Sequence, residues 1–224
     1  MIVTIQQSVM AEDEKYAARI RSVIREKKIL MVNIIGSPGS GKTTLLESMA
    51  DLVIARSDRF SFSVIEGDLE TTRDASRLAA KNIKAVQINT KGACHLEAHV
   101  VERAFASLDL DSLDVIFIEN VGNLVCPTEF DLGEDFKVAV LSVPEGADKP
   151  LKYPMLFFQA KAIVLTKTDL LPYVNFDSEM FKQDLHSLNP EAPVFALSLT
   201  SGEGVEEWVN FVAEQLKRKR ENAE

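Results

Sequence analysis

The chain has 224 residues, 46% of them hydrophobic and 26% charged, with a net charge of −9 and a pI near 5.0. It is long enough for one large α/β domain and too apolar for disorder. Its acidic balance excludes the basic footprint that nucleic-acid backbones and anionic membranes select, and no apolar run approaches the roughly 18 residues of a membrane span.

The opening MIVTIQQSVM has no basic segment ahead of its apolar residues and runs into Glu12, Asp13 and Glu14. It does not read as a signal peptide, so a cytoplasmic location is expected. In residues 10–27, Ala17, Ile20, Val23 and Ile24 recur at helical spacing among charges, predicting an amphipathic helix packed on the domain. Strand candidates follow at Ile29–Ile35, Phe60–Ile65, Ala85–Ile88, Val115–Glu119, Val138–Val143, Ala162–Thr166 and Val194–Leu197. Helical patterns lie near 43–56, 73–81, 94–107, 150–160, 177–188 and 204–220. This alternation predicts an α/β fold, a mostly parallel central sheet with helices on both faces, in a single domain over 1–224. Ligands of such sheets sit at the carboxyl ends of the strands.

Gly36-Ser37-Pro38-Gly39-Ser40-Gly41-Lys42-Thr43, followed by Thr44, fits the G-x-x-x-x-G-K-[ST] phosphate loop between a strand and a helix, which makes the fold a P-loop NTPase. Glycines let backbone N–H groups turn toward phosphates at a helix N-terminus. Lys42 would bridge the β- and γ-phosphates and Thr43 would ligate Mg²⁺. Thr166-Lys167-Thr168-Asp169 matches [NT]-K-x-D. The acceptor-only Asp169 carboxylate suits guanine N1–H and its 2-amino group, and the Lys167 stem would cover one face of the base. Thr166 stands where Asn is commoner; this removes an amide tether to the phosphate loop and leaves a hydroxyl. Ser198 and Leu199, after the last strand, resemble the loop that touches the base through backbone. GTP and GDP are therefore the expected nucleotides.

Glu119-Asn120-Val121-Gly122 stands where GTPases carry D-x-x-G. Gly122 would offer its N–H to the γ-phosphate, and Glu119 would hold Mg²⁺. Asp68 at a strand end and Asp74 at a helix start would reach magnesium or the attacking water, although Asp74 also fits a plain helix-start carboxylate. Lys42, Asp68, Asp74 and Glu119 form the catalytic set. Asn123 follows Gly122 where a water-orienting Gln is usual, so slow intrinsic hydrolysis, improved by dimerisation or a partner, is expected.

Two cysteines are too few for a disulfide framework. Cys94 and His95 follow the third strand, and Cys126 lies four residues beyond Gly122. Leaving the same sheet edge, they can converge, and thiolates with imidazole suit Ni²⁺ or Zn²⁺. Buried small hydrophobes are the competing reading of the cysteines. A helix starting near Cys94 should lower its thiol pKa, and His99, one helical turn beyond His95, is a further ligand candidate. Relaxation of the Gly122 loop after loss of the γ-phosphate would move Cys126 relative to Cys94 and His95.

The segments IEGDLETTRDASR at 65–77, KGACHLEAH at 91–99 and IENVGNLVCPTEFDLGED at 118–135 resemble the hydrogenase nickel-incorporation GTPases, the HypB family. The Cys-Pro-His run of the urease nickel GTPases is absent. The resemblance covers the chain from about residue 30 onward. It implies GTP hydrolysis, homodimerisation on GTP binding, a nickel-carrying accessory protein, and nickel delivery to the large subunit of [NiFe]-hydrogenase. It also makes Cys94, His95 and Cys126 interface metal ligands and gives Lys42, Thr43, Asp74 and Glu119 to the phosphate–magnesium site. Lys149 would reach a neighbour's nucleotide or remain a solvated lysine. No Cys-rich or His-rich stretch precedes Gly36, so N-terminal nickel storage is not expected. Competing readings are a GTPase chaperone for another metalloenzyme, urease- or cobalamin-type, with incidental cysteines; a P-loop ATPase or small-molecule kinase; and a non-catalytic metal carrier.

Overall fold

The computed structural model of the chain describes residues 5–55, 60–68 and 73–222, with side chains described for 12–55, 60–67 and 77–222. Seven strands, β1 (Leu30–Gly36), β2 (Phe62–Asp68), β3 (Lys84–Asn89), β4 (Val115–Glu119), β5 (Phe136–Ser142), β6 (Ala160–Thr166) and β7 (Val194–Ala196), form one sheet in the order β3-β2-β4-β1-β5-β6-β7. All six pairings are parallel. The helices are α1 (Ile5–Glu26), α2 (Lys42–Ala55), α3 (Arg73–Ala80), α4 (Ala98–Phe105), α5 (Cys126–Glu129), α6 (Lys149–Lys152), α7 (Pro154–Gln159), α8 (Ser178–Leu188) and α9 (Val205–Glu221).

Side chains alternate across each strand, so the central strands need apolar residues on both faces. Val32 and Ile34 of β1 face one layer with Leu45 and Met49 of α2 and Trp208 and Val212 of α9. Met31 faces the other, where Ile20 and Ile24 of α1 and Val101 of α4 cover the sheet. Ile35 of β1 and Leu141 of β5 continue that second face under Leu156 and Phe157 of α7 and Leu185 of α8. Parallel pairing sends every carboxyl end to one edge, and the phosphate loop, Glu119, Thr166 and both cysteine-bearing loops leave from there.

Two helical expectations are corrected. The helix foreseen over 94–107 begins only at Ala98, so Cys94 and His95 belong to a loop. The chain bends at Cys94 and His95, and Glu97, just before the helix, is extended at φ −112° and ψ 152°. The reason is Leu96, whose N–H donates to Asn120 Oδ1 at 3.3 Å. Its buried side chain also fills the notch over Gly67, where a Cβ would come within 2.8 Å of it. The helix over 150–160 is split at Tyr153 because a residue before proline is driven out of the helical region. The four-residue α5 lacks the length to show a periodicity.

Candidate nucleotide and metal site

The phosphate loop turns between β1 and α2 through Gly39 at φ +76° and Gly41 at φ +98°, a region that glycine enters without steric cost. A Cβ on Gly36 would lie 2.4 Å from the Val140 carbonyl oxygen, so no other residue fits there. The buried Lys42 ammonium donates to the carbonyls of Gly36 and Ser37, each at 3.1 Å, which holds it over the loop. The Thr43 hydroxyl donates to Glu119 Oε1 at 2.8 Å. Together with Gly122 and Thr44 these residues line a cleft of about 430 Å³.

The base-side residues close on the same loop. Thr166 is fully buried, and its hydroxyl donates to the Ser40 carbonyl at 2.6 Å. The hydroxyl that stands where an amide is commoner makes its own tether, because the end of β6 lies so near the loop that the shorter side chain spans the gap. Lys167, in the left-handed region at φ 59°, donates to the Gly39 carbonyl at 2.8 Å. Asp169 Oδ1 accepts from the Ser198 hydroxyl at 2.9 Å. Leu199 reaches Gly41, where a Cβ would stand 3.4 Å from its Cδ1. Asp68 ends β2 and Asp74 lies in the first turn of α3, but their side chains, and all of residues 69–72, fall outside the described residues.

Two residues to which the sequence reading gave no role also line the cleft. Glu66 is buried and stands in register beside Glu119, so adjacent strands end in two carboxylates. Arg77 enters from α3, pairing with Glu47 at 2.6 Å and donating to Thr44 Oγ1 at 3.1 Å. Glu66 and Arg77 both fall in the quoted segment at 65–77, whose resemblance was the signal that could have found them; no local motif marks either.

Gly122 links this cleft to the sulfur ligands. A Cβ there would lie 2.6 Å from Pro38 Cγ and 2.8 Å from its nitrogen, so the loop after β4 touches the phosphate loop backbone to backbone. Leu124 then anchors in the core, and Cys126 starts α5. The ligand atoms of Cys94, His95 and Cys126 all lie within 4.8 Å of one another. Cys94 Sγ sits 3.5 Å from His95 Nδ1. The His95 ring stacks on Phe130 with centroids 3.7 Å apart. Its buried Nε2 makes no hydrogen bond. Burial holds the His95 pKa below the usual imidazole value, favouring the neutral form that binds metals.

Two further expectations are corrected here. The Cys94 pKa is raised above the ordinary thiol value, chiefly by its hydrogen bond with Cys126 and then by burial, and α4 starts only at Ala98. His99 does not join His95. It lies on α4 with Nδ1 3.1 Å from Glu97 and 3.8 Å from Asp13. Asp13, Glu97 and His99 form a second cluster of ligating atoms. Asp13 accepts from the N–H groups of Ala98 and His99, so α1 caps α4 across the interface between them. Lys149 begins α6 with its ammonium 5.6 Å from the Tyr153 ring centroid.

The family model described as "CobW/HypB/UreG, nucleotide-binding domain" matches residues 30–196. The hydrogenase maturation factor HypB of Escherichia coli K12 is 46% identical over 211 residues, covering 94% of this chain and 72% of that protein. The hydrogenase/urease maturation factor HypB of Helicobacter pylori is 42% identical over 224 residues, covering 98% and 89%. The crystal structure of HypB from Helicobacter pylori in complex with nickel superposes with a TM-score of 0.86 at 43% identity, covering 95% of this chain and 97% of that one. With its phosphate loop, base-side residues and thiol–imidazole cluster on one sheet edge, this chain belongs to the CobW/HypB/UreG family and, within it, groups with the HypB hydrogenase maturation factors.

Proposed function

We propose that this protein is a GTPase metallochaperone that delivers nickel during [NiFe]-hydrogenase maturation. The observation carrying this is the approach of Cys94, His95 and Cys126 to within 4.8 Å, with Cys126 on the loop whose Gly122 abuts Pro38. Lys42 neutralises the transferring phosphoryl group, and Asp169, supported by Ser198, selects guanine. The adjacent Thr43 hydroxyl and Glu119 carboxylate are the oxygen donors that Mg²⁺ favours and would hold it. When bound, that ion offsets charge on the β- and γ-phosphate oxygens. Asp68 and Asp74 are assigned to the water or the magnesium shell.

Cys94, His95 and Cys126 hold the cargo, Ni²⁺ in cells and Zn²⁺ where zinc competes. Three ligands from one chain leave the coordination open, which suits completion by a second copy across a GTP-dependent dimer. With Asn123 beside Gly122, hydrolysis by the lone chain is slow and accelerates on dimerisation. A nickel-carrying accessory protein loads the site, and the hydrogenase large subunit receives the metal in the cytoplasm. No described helix is long and apolar enough to cross a membrane.

The test combines nickel affinity, measured with GDP and with a non-hydrolysable GTP analogue, with single-turnover hydrolysis over a range of protein concentrations. The proposal requires affinity to differ between nucleotides, to collapse in Cys94→Ala, and hydrolysis to quicken with concentration. Equal affinities, or full-rate hydrolysis at high dilution, refute it. Hydrogenase activity and nickel content in a deletion strain, with urease assayed alongside, identify the client.

A further inference from the structure

Beneath the cysteine loops runs a line of buried polar side chains that starts at Asn120, a variable position of the Glu119–Gly122 motif at the edge of the nucleotide cleft, and continues through residues to which no nucleotide or metal role has been given. Asn120, between Glu119 and the Gly122 loop, is 1% exposed. Its Oδ1 accepts from the Leu96 N–H at 3.3 Å and from the Val121 N–H at 2.9 Å. Its Nδ2 donates to Asn33 Oδ1 of β1 at 3.2 Å. The fully buried Asn33 in turn donates to Glu134 Oε1 at 3.1 Å, and Glu134 Oε2 accepts from the Leu132 N–H at 2.7 Å. Lys137 closes the line: its ammonium lies 3.9 Å from Glu134 Oε1 and donates to the Thr128 carbonyl of α5 at 2.8 Å.

The two ends are significant. At one, Asn120 grips the backbone of the residue after His95. At the other, Lys137 grips the four-residue helix that Cys126 begins. The middle passes through the strand that feeds the phosphate loop. Leu96 is also held from a second side, since its side chain fills the space above Gly67, immediately before Asp68.

We propose that Asn120 is a positioning residue: it ties the Cys94–His95 arm to the end of β4, so that displacement of the Glu119–Gly122 segment by the nucleotide reaches this arm as well as Cys126. The Asn33–Glu134–Lys137 line holds the α5 arm in register with it. Buried polar groups are costly unless each is satisfied, and partners in such a line move together or leave a group unpaired. Coupling through Cys126 alone would move one sulfur against a fixed Cys–His pair; with Asn120, both arms respond. This inference rests on the nucleotide–metal coupling proposed above.

The test is the ratio of nickel affinities in GDP and in a non-hydrolysable GTP analogue, at saturating nucleotide, for the full chain and its Asn120→Leu variant. Couplings of this kind are typically about 5- to 150-fold. The wild type should show a ratio in that range, and the variant should keep nickel binding while its ratio falls most of the way to one. A purely structural role would lower the melting temperature and leave the ratio intact, which overturns the proposal. A wild-type ratio of one overturns the underlying coupling and this inference with it. Should the variant fail to fold, the amide resonance of Leu96 in the metal-free wild type decides. It should shift between the two nucleotide states, and an unmoved resonance overturns the proposal.

Discussion

Thr166→Val isolates one hydrogen bond that fastens the base-recognition strand to the phosphate loop. Valine fills nearly the same volume, so no cavity opens, and the loss is confined to the hydroxyl. That hydroxyl is fully buried, and its bond to the Ser40 carbonyl is short at 2.6 Å. The contact with the Leu141 carbonyl, at 3.5 Å, is too long to matter beside it. Depriving a buried carbonyl of its partner costs about 1–3 kcal/mol. If the loop keeps its shape, the whole cost appears as lost stability, a fall of about 2–12 °C in melting temperature for a domain of this size. If the free loop relaxes instead, the cost appears when nucleotide rebuilds it, as GDP affinity weakened about 5- to 150-fold. Trp208, the single tryptophan, is fully buried against Met49 of α2 and reports unfolding by its fluorescence. Melting followed at Trp208, paired with equilibrium dialysis of GDP, therefore captures both outcomes. Thr166→Ser, which keeps the hydroxyl, should retain most of both quantities. A Thr166→Val protein with wild-type melting and wild-type GDP affinity would refute the tether.

The raised Cys94 pKa means that metal must displace the proton on the Cys94 thiol. Nickel affinity should therefore climb with pH, by about tenfold per unit for each displaced proton between about pH 6 and 8, and a flat titration contradicts thiolate ligation. The sign for the metal-free fold is the opposite: a thiol pKa higher folded than unfolded contributes stability below the unfolded value that is lost as pH rises toward the folded one. Asp169→Asn exchanges an acceptor-only carboxylate for a group that also donates. GDP should bind about 10- to 150-fold more weakly and the preference should turn toward xanthosine diphosphate, whose 2-carbonyl accepts; an undiminished GDP preference in a competition assay argues against Asp169 as the guanine reader.

Much of the site is legible from local sequence because its chemistry is backbone chemistry. The glycines at 36, 39 and 41 and the strand–loop–helix order fix a turn wherever they occur, and the alternation of apolar runs with helical patterns already implies a parallel sheet whose strand ends share an edge. Boundaries were less legible. Cys94 and His95 read as helical by pattern, yet Leu96 bonds to Asn120, 24 residues away, and they stay in a bend outside the helix. His99 shares a helical spacing with His95 but lies beside Asp13, 86 residues distant. The Thr166 tether is a distance between two strand ends, which residue identity does not encode.

Local order along the chain determined the phosphate loop, the guanine motif, the presence of two thiols and an imidazole, and the layered α/β class. These depend on turns, periods and donor types within a few residues. Tertiary packing alone decided which histidine faces the sulfurs, why the Cys94 thiol holds its proton, and how Asn33, Asn120, Glu134 and Lys137 line up beneath both metal arms. Each of these depends on strands from distant parts of the chain approaching within hydrogen-bonding distance, and on burial, which makes a polar group left without a partner there costly.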